Sequence, residues 1–194
     1  MMSRIGSLLA ALLLLAYPLL VWWGLSASTL PLWLPAGLAL LFVLRLLPTP
    51  AAWRPWLMLS RLLAGGGLLL CALSLLCREA GWLLYYPLLV SLGLLLLFGW
   101  SLFQPMSLVE RLARLQEPEL PTAAIRYTRR VTQVWCLFFV INGLLAAYTI
   151  YRGDLALWSL YNGLISYLLM GALMAGEYLI RRRLKARLAQ QGAA

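Results

Sequence analysis

The stretch VTQVWCLFFVINGLLAAYTIYRGDLALWSLYNGLISYLLMGALMAG, residues 131–176, holds only two charged side chains, Arg152 and Asp154, and they sit together near its middle. On either side lies an apolar run of about 20 residues, the length a helix needs to cross the hydrocarbon core of a bilayer. The pattern predicts two spans, 131–151 and 155–177, joined by a short turn at Arg152–Asp154. Working outward, Ile5 to Leu44 carries no charge and is too long for one crossing; Gly24 to Thr29 followed by Pro31 supplies the turn chemistry that divides it into spans 5–23 and 30–47. Two more fall at 56–77, where Arg61 snorkels from the first turns, and at 82–103. Pro18 and Pro87 imply local kinks, and Gly65-Gly66-Gly67 implies a close backbone approach.

Composition supports the same class. Of 194 residues 63% are hydrophobic and 11% charged, with a mean hydropathy of +0.87, whereas soluble domains average about 45–50% and 25%. Too few polar side chains exist to cover a water-soluble core, so both a soluble globule and a disordered chain are excluded. The expected fold is all-α: a polytopic membrane protein, a six-transmembrane-helix bundle forming one integral membrane domain over 1–194, with a short amphipathic helix between spans four and five. Met1 to Ser28 resembles a leader, but its long apolar run leads directly into another apolar stretch and is read as span one.

Histidine is absent, and of the three cysteines Cys71 and Cys77 lie six residues apart on one predicted helix, pointing to different sides of it, with Cys136 far away. No metal site, disulfide framework or cofactor is expected. Net charge is +10, and its placement explains it. With both termini inside, Arg4, Arg45, Arg54, Arg61, Arg111, Arg114, Arg126, Arg129, Arg130, Arg181, Arg182, Arg183, Lys185 and Arg187 are cytoplasmic, and only Arg78 and Arg152 are external. Basic residues in short loops stay on the cytoplasmic side, so this asymmetry predicts that both ends are cytoplasmic. Membrane lipids are the expected partners of that charge; nucleic acid is not.

The cytoplasmic segment 104–130 is the longest predicted outside the membrane, and a basic tail follows at 178–194. Ser107-Leu-Val-Glu110 is a capping box that starts a helix ended by Pro118. Leu108, Val109, Leu112 and Leu115 should share its apolar face, with Glu110, Arg111 and Arg114 opposite. Such a helix floats on headgroups or docks a soluble partner. Pro121-Thr122 starts a second helix that runs into span five and carries Arg126, Arg129, Arg130 and Gln133 at i, i+3, i+4 and i+7. That stripe is either a topogenic flank on lipid phosphates or a grip for a phosphate-bearing or acidic ligand.

Span six carries Ser159, Asn162, Ser166, Met170 and Glu177 on roughly one face, and span five carries Asn142. Polar groups in lipid should face the bundle interior. Glu177 reads chiefly as a structural clamp, paired with Arg181 or reached by Arg129 or Arg130, with a chemical role as the alternative. Gly171-xxx-Ala175 and Ala172-xxx-Gly176 offer faces for close helix packing. Tyr17-Pro18-Leu19-Leu20-Val21 recurs as Tyr86-Pro87-Leu88-Leu89-Val90, but the likeness does not extend into a repeat, and both tyrosines are expected as interfacial anchors.

The stretches ERLARLQEPELPTAAIRYTRRVTQVWCLFFVINGLLA (110–146) and LWSLYNGLISYLLMGALMAGEYLIRR (157–182) resemble a family of bacterial inner-membrane proteins encoded in aryl polyene biosynthesis clusters, which make membrane-attached pigments of the xanthomonadin and flexirubin type. The resemblance covers about residues 83–183 and implies a setting rather than a mechanism, with acyl chains carried on acidic acyl carrier proteins. It implies candidate positions without assigned roles: Glu110, Arg111, Arg126, Tyr127, Arg129, Arg130, Gln133, Trp135, Asn142, Tyr161, Asn162, Glu177 and Arg181. The expected function is an accessory one without catalysis, holding or handing over acyl intermediates at the cytoplasmic face. A small lipid or polyene transporter or flippase subunit, and a membrane-embedded acyltransferase-like enzyme, are the alternatives.

Overall fold

A computed structural model describes residues 16–26, 33–46 and 54–192. These residues form helices α1 (Tyr17–Ser26), α2 (Trp33–Leu46), α3 (Arg54–Cys77), α4 (Tyr86–Leu102), α5 (Leu108–Arg114), α6 (Thr122–Arg152), α7 (Leu155–Leu160) and α8 (Ser166–Gly192). A 3-10 turn, Ala80–Tyr85, leads into α4, and a π turn, Tyr161–Ile165, joins α7 to α8. No strand occurs among the described residues.

Four helical stretches are long and apolar enough to cross a membrane: Leu57–Cys77, Ala80–Leu102, Thr122–Arg152 and Leu155–Arg183. They coincide with the last four of the six expected spans, and their length and composition suggest a membrane protein. The first two expectations fare differently. Span 5–23 falls largely outside the described residues, which include its end only as α1. Span 30–47 is described over Trp33–Leu46, where it is helical as α2; its remaining residues lie outside the described ones. The ends of α1 and α2 do meet, with the Trp23 and Trp33 rings 5.5 Å apart.

α6 runs unbroken from Thr122, as expected. Its C-terminus is closed by Gly153 in the left-handed conformation (φ 67°), whose N–H donates to the Ile150 carbonyl. Asp154 then caps α7, its Oδ1 accepting from the N–H groups of Ala156 and Leu157 at 2.9 and 3.1 Å. Two such caps on consecutive residues reverse the chain tightly and set α7 back against α6.

The helices meet in two apolar clusters. At the end where α6 and α7 join, Tyr17, Phe42, Leu83, Tyr86 and Trp158 are buried together; Tyr17 donates to the Leu83 carbonyl at 2.7 Å and the Trp158 indole to the Leu84 carbonyl at 3.1 Å. At the arginine-rich end Phe98, Leu108 and Phe139 pack together with Trp135 against them. α4 and α6 form the most extensive helix pair, followed by α2 and α3. The glycine triplet serves the α2–α3 and α3–α4 contacts: a Cβ on Gly67 would overlap the Phe42 ring, and one on Gly66 would stand 2.5 Å from Leu89. Gly65 faces open space.

Three expectations are corrected. Tyr17 and Tyr86 are not interfacial anchors; both are buried, with ring centroids 4.7 Å apart. Because each hydroxyl lies within a helical bundle, it must be met by a protein group, as the Tyr17–Leu83 bond shows. Among the described residues the small faces of α8 meet no close neighbour, since a Cβ on Gly171 or Gly176 would meet nothing. The third correction concerns α5. Ser107 caps it as expected, accepting from the Glu110 N–H at 3.4 Å. Glu110, however, is 4% exposed rather than on a solvated face, while Leu112 and Leu115 are exposed. The Leu108 N–H donates to Ser101 Oγ at 3.0 Å, which holds the start of α5 against the end of α4, and both Leu108 and Glu110 are buried. Glu110 Oε1 then accepts from Arg114 Nε and Nη2 at 3.0 and 2.9 Å, which neutralises the buried carboxylate.

Candidate functional site: a cavity between the helices

A cavity of about 560 Å³ lies between α1, α2, α3, α4, α6, the π turn and α8, within the range of small-molecule sites. Most of its wall is apolar, including Pro18, Phe42, Leu59, Leu63, Val90, Leu94, Phe139 and Met170. Both Tyr-Pro pairs border it. Pro87 stands in the first turn of α4, where the N–H that a proline lacks has no intrahelical partner to lose, so the helix runs on from it regularly instead of kinking there.

One side of the wall is polar. Asn142 Nδ2 donates to Ser91 Oγ at 3.0 Å, and Asn142 Oδ1 accepts from the Tyr161 hydroxyl at 3.0 Å, joining α4, α6 and the π turn. Asn162, 3% exposed, donates from Nδ2 to the Trp158 carbonyl at 2.9 Å and to Thr149 Oγ1 at 3.3 Å. Thr149 Oγ1 spends its own hydrogen on the Ala146 carbonyl at 2.7 Å, so it acts as acceptor toward Asn162. Ser166 Oγ donates to the Asn162 backbone carbonyl at 3.3 Å. The π turn places these groups: one extra residue per turn shifts Tyr161 and Asn162 relative to α8, a distortion frequent at functional sites.

The sequence-predicted residues thus divide. Asn142 and Asn162, expected to face the interior, do so and line the cavity. The others lie at the arginine-rich end, away from it. Arg126, Arg129, Arg130 and Gln133 are all exposed on α6, but Arg129 Nη2 donates to the Leu102 carbonyl at 2.7 Å and so closes the C-terminus of α4. Arg111 Nε donates to the Met106 carbonyl at 3.2 Å, tying α5 to the preceding turn. Glu177 pairs with Arg181 at 3.7 Å, as expected. The group reaching it from α6 is neither Arg129 nor Arg130: the Tyr127 hydroxyl donates to the Glu177 backbone carbonyl at 3.2 Å.

Sequence reasoning missed Ser91, Tyr17, Tyr86 and Thr149 as wall or network groups. Ser91 could have been found by the rule that singled out Asn142, as a polar residue within an otherwise apolar span. The tyrosines carried no such signal, because a tyrosine near a span end serves equally as an anchor. Among the described residues no group of three or more histidine, cysteine, aspartate or glutamate side chains gathers to hold a metal.

The fold and its cavity define an all-helical chain with four helices long and apolar enough to cross a bilayer. Comparison with family models, curated proteins and solved structures finds no match. The resemblance of residues 83–183 to the aryl-polyene-cluster proteins therefore rests on its motifs alone.

Proposed function

We propose that this chain is an integral inner-membrane accessory protein that holds an acyl or polyene chain between its helices. The single observation that carries this reading is the cavity of about 560 Å³, apolar along most of its wall and bordered by several helices. An apolar cavity of this size accepts an extended hydrocarbon without requiring reactive groups. Handing over would take place at the arginine-rich end, cytoplasmic by the charge asymmetry. There Arg126, Arg130 and Gln133 are exposed on α6, and Leu112 and Leu115 of α5 are exposed toward headgroups or a partner. Acidic acyl carrier protein is the partner that the family resemblance implies, and guanidinium groups suit its phosphate and carboxylates.

Native mass spectrometry of the detergent-purified protein tests the reading. A chain-bearing lipid or acyl species should stay bound after annular lipid is stripped, and Val90→Phe, which places a ring in the cavity, should release it. Wild-type protein devoid of such a species after reconstitution with acyl lipids would overturn the reading.

A further inference from the structure

We propose that the ligand carries one hydrogen-bond donor, a hydroxyl or an N–H, and that Asn162 Oδ1 receives it. This rests on the reading of the cavity as a chain-binding site and adds the polar chemistry that selects among chains. Among the described residues, Ser74 Oγ, Trp82 Nε1 and Asn162 Oδ1 are the buried side-chain polar atoms without a partner. Of these three residues, Asn162 alone lines the cavity.

Its orientation is chemically determined. Nδ2 stands 2.9 Å from the Trp158 carbonyl, which can only accept, so turning the amide over would set two acceptors against each other. Oδ1 is therefore the atom left over. The neighbouring wall groups do not supply the missing donor, since Tyr161 donates to Asn142, Asn142 donates to Ser91, and Ser166 donates to the Asn162 backbone carbonyl. A buried amide oxygen left unmatched is costly, and a donor arriving with the ligand removes that cost. Plain hydrocarbon leaves it in place. The π turn that carries Asn162 thus acts as the recognition element for the polar end of an otherwise apolar molecule.

The probes are dodecanol and its methyl ether, which share a chain and an oxygen but differ in the O–H. Binding of each to the nanodisc-embedded full chain is read by native mass spectrometry, for wild type, Asn162→Leu and Val90→Phe. Wild type should favour the alcohol about three- to tenfold, the worth of one net hydrogen bond. Asn162→Leu should bind both probes equally, and Val90→Phe should weaken both. Equal binding of the two probes by wild type overturns the donor requirement while leaving the chain-binding reading intact, and an undiminished preference in Asn162→Leu overturns the assignment to Asn162. Failure of wild type to bind either probe overturns the underlying reading and the inference with it. Should Asn162→Leu not fold, the alcohol-to-ether ratio of wild type still decides the donor requirement.

Discussion

Tyr17 and Tyr86, each followed by proline, pack with ring centroids 4.7 Å apart and planes tilted by 42° where both border the cavity. Tyr17 additionally donates across 66 residues of chain to the Leu83 carbonyl at 2.7 Å. Tyr17→Phe keeps the ring contact and removes one of two donors to the Leu83 carbonyl, which still accepts from the Tyr86 N–H, so it should destabilise the protein by about 0.5–1.5 kcal/mol. Tyr17→Ala also empties the ring's volume and should cost about 3–5 kcal/mol. Denaturant unfolding in detergent, compared across the two variants, separates the hydroxyl from the ring.

Asn142 links Ser91 on α4 to Tyr161 on the π turn. Asn142→Leu should lower stability by about 1–3 kcal/mol, since two buried hydroxyls lose their partner. Groups within one network are coupled. The double variant Ser91→Ala with Asn142→Leu should therefore cost less than the two single changes added together, and strict additivity would show the network to be energetically idle.

The glycine triplet offers a paired test. Gly67→Ala sets a methyl into the Phe42 ring and should cost about 1–3 kcal/mol, recovered in part by Phe42→Leu. Gly65→Ala meets open space and should be neutral or stabilise by up to about 1 kcal/mol, because alanine is the better helix former. Melting temperatures of the three variants decide.

Two glutamates that look alike in sequence should behave differently. Glu110→Gln disrupts a pair whose carboxylate is 5% exposed and accepts two bonds from Arg114, with an expected loss of about 1–3 kcal/mol. Glu177→Gln acts on a looser pair at 3.7 Å, with the Arg181 side chain 36% exposed. Exposed i,i+4 pairs are worth about 0.3–0.5 kcal/mol. Loss of acyl or pigment output in Glu177→Gln at unchanged stability would assign the carboxylate a chemical role.

The proposed orientation and docking face are tested together. Reporter fusions after Ser28 and Arg152 should read external, and fusions after Gln116 and Ala194 cytoplasmic. Arg126→Lys with Arg130→Lys preserves charge but removes the planar fork. Co-purification with acyl carrier protein should weaken in this variant and, for wild type, decline with added salt, as exposed charges are screened beyond about 8 Å at physiological ionic strength. Equal capture by both proteins at every salt concentration would reduce the stripe to a topogenic flank.

How much of the fold and site is legible in the sequence depends on the range over which each feature is determined. The apolar stretches of the last four spans, the Ser107 cap, the start at Thr122 and the turn at Gly153–Asp154 are written within a few consecutive residues, because length, hydropathy and cap chemistry act locally. The inward placement of Asn142 and Asn162 follows as well, since lipid cannot satisfy an amide. The Tyr17–Tyr86 ring contact, the burial of Glu110, the capping of α4 by Arg129 and the cavity with its unmatched Asn162 oxygen join or depend on residues apart in the chain. They are settled by how the helices rotate and cross. A Leu-rich helix that is apolar on every side has no stripe to announce which face it will bury. The sequence by itself therefore determined an all-helical, lipid-compatible chain, while only the tertiary structure decided which faces meet and which polar atom is left without a partner.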